Sequence, residues 1–216
     1  MDIRERIRLK AEELFKRFGI RSVTMDEIAA QLSISKKTIY QYFTDKDSLV
    51  DAVINEELNR SQSDCCSSLK ISRNAIEEVF LIMENIERQF LAMSYLVIYD
   101  LERFHFKTYK KVQEHKDKFL YEMITKNQER GISEGLYRPD INQELMARFR
   151  LASLMLMFNQ DVFPASKYNL IDLQRELLEH YLFGLATVRG HKLIVKYKEE
   201  RIKKSAQNDT KHKVLQ

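Results

Sequence analysis

From Ile34 to Tyr42 the chain sets Lys36, Lys37, Thr38, Tyr40, Gln41 and Tyr42 around two apolar anchors, Ile34 and Ile39. Lysine ammonium groups donate to guanine O6/N7 or to phosphate, hydroxyls donate to phosphate, and a tyrosine ring can touch a thymine methyl. Both lysines fall in the first turn of a short helix that Ser35 can cap, where free backbone N–H groups and the helix dipole already favour an anion. This is the chemistry of a nucleic-acid surface. Nothing comparable supports catalysis: there is no Gly-rich phosphate loop, no nucleophile elbow and no acid/base pair with supporting spacing, so no enzyme and no catalytic residue is expected. His105, His180, His191 and His212 lack partners at metal-ligand spacing, and the adjacent Cys65 and Cys66 cannot build a zinc site alone. Neither a metal nor a cofactor is expected.

Neighbouring elements must hold that short helix in place. Ile3, Ile7, Ala11, Leu14, Phe15 and Phe18 share one face of a first helix, with Arg4, Arg8, Glu12 and Lys16 away from it. Gly19 ends this helix, since glycine readily takes the left-handed C-cap conformation. Thr24 and Glu27 have the spacing of a capping box for a second helix, whose buried side is Met25, Ile28, Ala29 and Leu32. The turn Leu32-Ser33-Ile34-Ser35 leads into the helix Lys36 to Tyr42, and Thr44 or Asp45 then caps a longer helix carrying Leu49, Val53, Ile54 and Leu58. Two short helices joined by a tight turn, the second with a free outer face, make a helix-turn-helix over about residues 24–43.

The run Gly19-x4-Thr24-x3-Ile28-Ala29-x2-Leu32-Ser33-Ile34-Ser35-x2-Thr38-Ile39-Tyr40-x-Tyr42-Phe43-x2-Lys46-x2-Leu49 resembles the signature of the TetR (tetracycline-repressor, AcrR-like) family of transcription regulators. It covers about the first 60 residues. Two positions depart: Lys37 stands where many members have glycine, and Ser33 where glycine or alanine is common. The resemblance implies phosphate contacts from Tyr42 and Lys46, base or near-base contacts from Lys36, Lys37, Thr38 and Tyr40, and a backbone contact near Thr24. Thr24 and Ser35 also read simply as caps, and Tyr40 as partly core. The family likeness implies a homodimeric repressor that binds a near-palindromic double-stranded DNA operator and is released by a small-molecule effector.

Beyond this region, apolar residues recur at steps of three and four, and five Gly and two Pro leave few forced breaks. The expected fold is all-α with about nine helices: a three-helix DNA-binding domain over 1–60, a helical ligand-binding and dimerisation domain over 61–190, and a basic tail over 191–216. The Ser/Asp-rich stretch 61–68 is the expected loosening between regions. Five helices are expected near 73–92, 95–108, 110–131, 141–159 and 168–189. Net charge is +2 over residues 1–50, −3 over 51–190 and +5 over 191–216, a basic-ended pattern that suits nucleic acid. Residues 145–158, apolar almost all round, and 168–189 are the candidate dimer helices, able to form a four-helix bundle with a second copy. Aromatic, Met and His residues of the middle helices are candidates both for an effector pocket and for ordinary core: Phe90, Met93, Tyr95, Phe104, His115, Phe119, Met123, Phe149 and Met155. No apolar run approaches the ~18 residues of a spanning helix, and Met1 to Glu5 lacks a signal-peptide core. With two adjacent cysteines, a cytoplasmic protein without membrane contact is expected.

Overall fold

The structure, a computed structural model, describes residues 1–90 and 95–214, with side chains within 1–88 and 95–203. Eleven α-helices run through the described residues: α1 Ile3–Phe18, α2 Met25–Leu32, α3 Lys36–Tyr42, α4 Lys46–Ile71, α5 Ala75–Phe90, α6 Leu96–Phe104, α7 Phe106–Glu114, α8 Tyr121–Ser133, α9 Gln143–Leu156, α10 Leu170–Leu185 and α11 Val188–Val214. A π-helical turn, His115–Leu120, joins α7 to α8. The all-α architecture agrees with the sequence pattern. None of the helices, among the described residues, is long and apolar enough to cross a membrane.

Short-range capping accounts for the first elements. Gly19 ends α1 at φ +82°, its N–H bonded to the Phe15 carbonyl at 2.9 Å. Thr24 Oγ1 accepts the Glu27 N–H (3.1 Å) at the start of α2, and Ser35 Oγ accepts the Thr38 N–H (3.0 Å) at the start of α3. The full reciprocal box forms at α4, where Asp45 accepts from the Ser48 N–H and Ser48 Oγ accepts from the Asp45 N–H.

Packing then overrides several local expectations. The stretch 61–68 is not a loosening: α4 continues to Ile71, because Cys65 and Ser68 turn inward and are buried while the polar residues face outward. Asn85 on α5 donates to Ser68 Oγ (3.2 Å), adding a tertiary tie that the isolated segment lacks. The helix expected over 95–108 breaks at His105, which leaves helical geometry at φ −130°, ψ +50° and reaches Asp47 on α4 at 2.6 Å. The helix expected over 168–189 stops at Leu185. There the chain extends and pairs Ala186 with Tyr137, with Arg138 N–H donating to the Leu185 carbonyl (2.8 Å) and Thr187 N–H to the Leu136 carbonyl (2.9 Å). At Gly190 a side chain would meet the Leu136 carbonyl oxygen at 2.1 Å, so the closeness of this crossing depends on glycine. The basic segment from His191 onward belongs to α11, which buries Ile194 and Tyr197 against α5 and α10.

Two main cores result. The first joins α1–α4 (Ile7, Phe15, Ile28, Ile39, Leu49, Val53) to Val97 and Leu101 of α6. The second joins α5, α10 and α11 (Ile76, Phe80, Leu178, Leu182, Ile194) around the 136–137 segment. Helix α4 contributes to the first core and packs along α5 of the second. Its face toward α1 is ionic: Arg8 and Glu12, expected on the outer face of α1, are buried beneath α4. Glu12 accepts from Arg8 (2.8 Å), Lys16 (2.9 Å) and Arg60 (3.1 Å), and Glu57 accepts from Lys16 (2.6 Å) and Arg60 (2.8 Å). Burial works against the Glu12 charge, but these hydrogen bonds and cations hold its carboxyl below the usual range.

Candidate nucleic-acid interface and the cavity above it

The α2–α3 turn closes through Ser33, the one non-glycine residue with positive φ among the described residues (φ +55°, ψ +41°). Its N–H bonds to the Ala30 carbonyl (3.1 Å) and the Ile34 N–H to the Ala29 carbonyl (3.0 Å), the double closure of a Schellman motif. That turn swings α3 so that Ile39 and the following Phe43 are buried, while Lys36, Lys37, Tyr40, Gln41 and Tyr42 face outward. Tyr40 is 43% and Tyr42 40% exposed, so neither ring is core.

The polar groups on this face differ in readiness. Lys36 Nζ is held by Asp26 at 2.8 Å, and that hydrogen bond raises its pKa. Lys37 makes no ion pair among the described residues. Thr38 Oγ1 and Ser35 Oγ share a hydrogen bond (2.8 Å), and Ser35 and Thr24 serve their helices as caps. Lys46, at the first position of α4, is half-buried and donates to the Arg21 carbonyl at 3.3 Å; burial pushes its pKa down. The eight residues expected at a DNA surface thus lie on α3 and on the two ends beside it. Of these, Lys36, Lys37, Tyr40 and Tyr42 have exposed side chains, Thr38 and Lys46 are half-buried, and the exposed Thr24 and Ser35 act as caps.

Behind this face, α6 and α7 grip the DNA-binding region. Asp100, buried on α6, accepts the Arg21 N–H at 2.8 Å, and its Oδ2 lies 3.0 Å from where a Cβ on Gly19 would be. Thr108 and Lys111 of α7 reach Asp51 on α4 at 3.2 and 2.9 Å. The far half of α4 meets a cavity of about 230 Å³ enclosed with α5, α8, α9 and α10.

The cavity wall is mostly hydrocarbon, including Ile82, Ile86, Ile124, Leu154 and Leu178, with a small polar group at one part of it. Arg150 on α9 and Gln174 on α10 are both buried there. Arg150 reaches Ser153 Oγ (3.3 Å) and lies over the Tyr181 ring (5.9 Å), and burial pushes its pKa down to about 10. Both amide atoms of Gln174 are buried without a hydrogen-bond partner. Glu78, also at the wall, is bonded to Arg130 at 3.0 Å, and burial raises its carboxyl pKa.

Of the middle-helix residues singled out from the sequence, Met123 and Met155 border this cavity. The others lie elsewhere. Phe104 is exposed under the Arg21 guanidinium (4.9 Å), His115 stacks on Phe119 (5.1 Å), Tyr95 donates to the Tyr168 carbonyl (2.6 Å), and Phe149 is 46% exposed on the outer face of α9. Met93 lies outside the described residues, as does the side chain of Phe90. Sequence reasoning passed over Arg150 and Gln174. Some signal was present: Arg150 directly precedes the apolar run 151–158, and Gln174 stands four residues from both Leu170 and Leu178, on the apolar face of its helix.

Residues 7–53 match the family model "Bacterial regulatory proteins, tetR family". Over 105 residues the chain is 28% identical to the uncharacterized HTH-type transcriptional regulator YvaF of Bacillus subtilis, covering 47% of this chain and 54% of that one, so the match spans about half the relative's length. Over almost the whole chain the fold is similar to a TetR-family regulator from Marinobacter aquaeolei, at TM-score 0.72 and 18% identity, covering 93% of this chain and 98% of that one. It is also similar to a transcriptional regulator from Saccharomonospora viridis solved with choline, at TM-score 0.68 and 19% identity, covering 85% and 97%.

Proposed function

We propose that this chain, whose residues 7–53 match the TetR family model, is a homodimeric DNA-binding transcription regulator whose operator affinity is lowered by a small molecule held in the cavity. The observation that carries this reading is the outer face of α3. It presents Lys37, Tyr40, Gln41 and Tyr42 on a helix anchored by Ile39, with Lys36 and Lys46 at its margins. In this reading Lys36, Lys37, Thr38 and Tyr40 meet base edges or near-base atoms, and Tyr42 and Lys46 meet phosphate, Lys46 exchanging the Arg21 carbonyl for the anion. Thr24 and Ser35 present the N-terminal amides of α2 and α3 to the DNA backbone.

Dimerisation is supported by an unpartnered stripe on α9. Leu145, Phe149, Ala152 and Leu156 follow at helical spacing and are all exposed, beside the exposed His180 and Gly184 of α10. A second copy covering these faces forms a four-helix bundle, and its two-fold axis sets two α3 helices into successive major grooves about 34 Å apart. Effector control is supported by α4, whose first residue lies at the DNA face and whose Cys65 borders the cavity. A ligand that prefers one α4 inclination shifts the spacing of the two reading heads by its differential affinity.

The test is a gel-shift and footprinting series on the promoter of the chain's own gene. Protection of a near-palindromic site, with a steep salt dependence that Lys46→Ala reduces, is the expected result. Binding no tighter than to random DNA would overturn the reading.

A further inference from the structure

Within the reading of the cavity as an effector site, one feature of its wall specifies the effector's charge. Arg150 is 7% exposed, and its guanidinium contacts only a neutral hydroxyl, that of Ser153, and the Tyr181 ring face among the described residues. Among the described residues no carboxylate pairs with it, whereas the other cations of the interior are paired: Arg130 with Glu78 and Glu134, and Arg201 with Glu84 and Glu87. Burying an arginine without a counter-charge is costly, because the guanidinium loses hydration that nothing on the protein replaces. Gln174, 1% exposed at the same wall, has an amide donor and an acceptor both unused. A water molecule could satisfy the amide, but it would not neutralise the guanidinium.

We propose that the cavity takes a small amphiphilic carboxylate, its anionic head on Arg150 and Gln174 and its hydrocarbon body against the apolar wall. The planar guanidinium fork matches a carboxylate, and the Gln174 amide N–H supplies a further donor. Neutral ligands leave Arg150 unpaired, and cationic ligands meet it as a like charge. Two acids line the wall, Asp64 on α4 and Glu78 on α5, and Glu78 is already held by Arg130. Size sets the second limit. A dry cavity of ~150 Å³ holds benzene, so about 230 Å³ suits a ligand of roughly ten non-hydrogen atoms.

The probes are octanoate, phenylacetate, octan-1-ol and octylamine, titrated calorimetrically into the full-length protein at pH 7 without DNA. Octanoate or phenylacetate is expected to bind at least tenfold tighter than octan-1-ol. Arg150→Met should reduce that preference to within twofold while leaving octan-1-ol binding in place, and Gln174→Leu should reduce it about threefold. A cooperative melt of each variant confirms that it folds, and Gln174→Leu keeps the test decisive if Arg150→Met does not. Equal affinity for acid and alcohol, preference for octylamine, or no saturable binding of either acid at millimolar concentration overturns the proposal. Release of DNA is read separately by gel shift. Carboxylate binding without release sustains this site and sinks ligand-controlled repression, while failure of the anion preference leaves the DNA-binding reading untouched.

Discussion

The carboxylate of Asp100 accepts the backbone N–H of Arg21 at 2.8 Å, while the carbonyl of the same residue accepts from Lys46 Nζ at 3.3 Å. One residue between α1 and α2 is therefore tied to α6 through its N–H and to the start of α4 through its C=O. Any movement of α6 against α4 must strain or break one of these bonds. The joint lies where the reading head meets the rest of the molecule.

Asp100→Ala should lower stability by about 1–3 kcal/mol, because it strands the Arg21 N–H in a partly buried place. Asp100→Asn, which keeps an acceptor oxygen, should lose less. Urea denaturation of both measures the difference, and Lys37→Ala, an exposed change, should shift stability by no more than about 0.5 kcal/mol.

In the proposed function Asp26 is a competitor of DNA for Lys36, which it holds at 2.8 Å. The pair is exposed on both sides, so salt and water already weaken it. Asp26→Asn removes the competitor and a negative charge that faces the phosphates, and should tighten specific binding by about two- to fivefold at low salt. In a salt titration of the operator complex, Lys46→Ala should lower the log–log slope by about 0.9, as expected of a phosphate contact. Lys37→Ala, at a base edge, should weaken specific binding with a smaller change of slope.

Ser33 holds the left-handed conformation that closes the α2–α3 turn. A side chain there costs ~1–2 kcal/mol that glycine avoids, partly offset by the greater freedom of glycine in the unfolded chain. Ser33→Gly is expected to stabilise the protein by about 0.5–1 kcal/mol in thermal or urea melts, with DNA affinity changed less than twofold.

Glu87 on α5 accepts from Arg175 of α10 (2.8 Å) and Arg201 of α11 (2.9 Å). Burial raises its pKa, but the two guanidinium groups outweigh that and bring it below the usual carboxylate value of 4.5. A carboxyl lowered by folding contributes stability that is complete above about pH 4.5 and is lost as pH falls through its folded value. Glu87→Gln should cost about 1–3 kcal/mol at pH 7, and the gap to wild type should narrow in acid. Parallel urea melts at pH 7 and below pH 4 check this, and a gap independent of pH would contradict it.

Phe149→Glu places a charge in the exposed apolar stripe of α9 without touching a core. Sedimentation is expected to show a dimer for the wild type and a monomer for this variant, with helical content unchanged and operator affinity lowered at least tenfold. A Phe149→Glu variant that remains dimeric would move the interface elsewhere.

What the sequence by itself determined is the reading head. The caps at Thr24, Ser35 and Asp45, the glycine at 19 and the apolar spacing of Ile28, Ile39 and Leu49 act over three or four residues, and the helix Lys36–Tyr42 emerges from them with its ends in place. Other features depended on contacts between distant segments. Arg8 and Glu12 look like solvated positions on α1 until α4 lies over them, and the polar stretch 61–68 looks like a loop until Cys65 and Ser68 face inward. The cavity was hidden for the same reason. Met123 and Met155 reach it while Phe119 and Phe149 do not, because burial depends on which helices meet and at what rotation, and five helices set that together. Only the tertiary structure decided that Arg150 and Gln174 border one apolar space, where a charge has lost its water without gaining a counter-charge and an amide without gaining a partner.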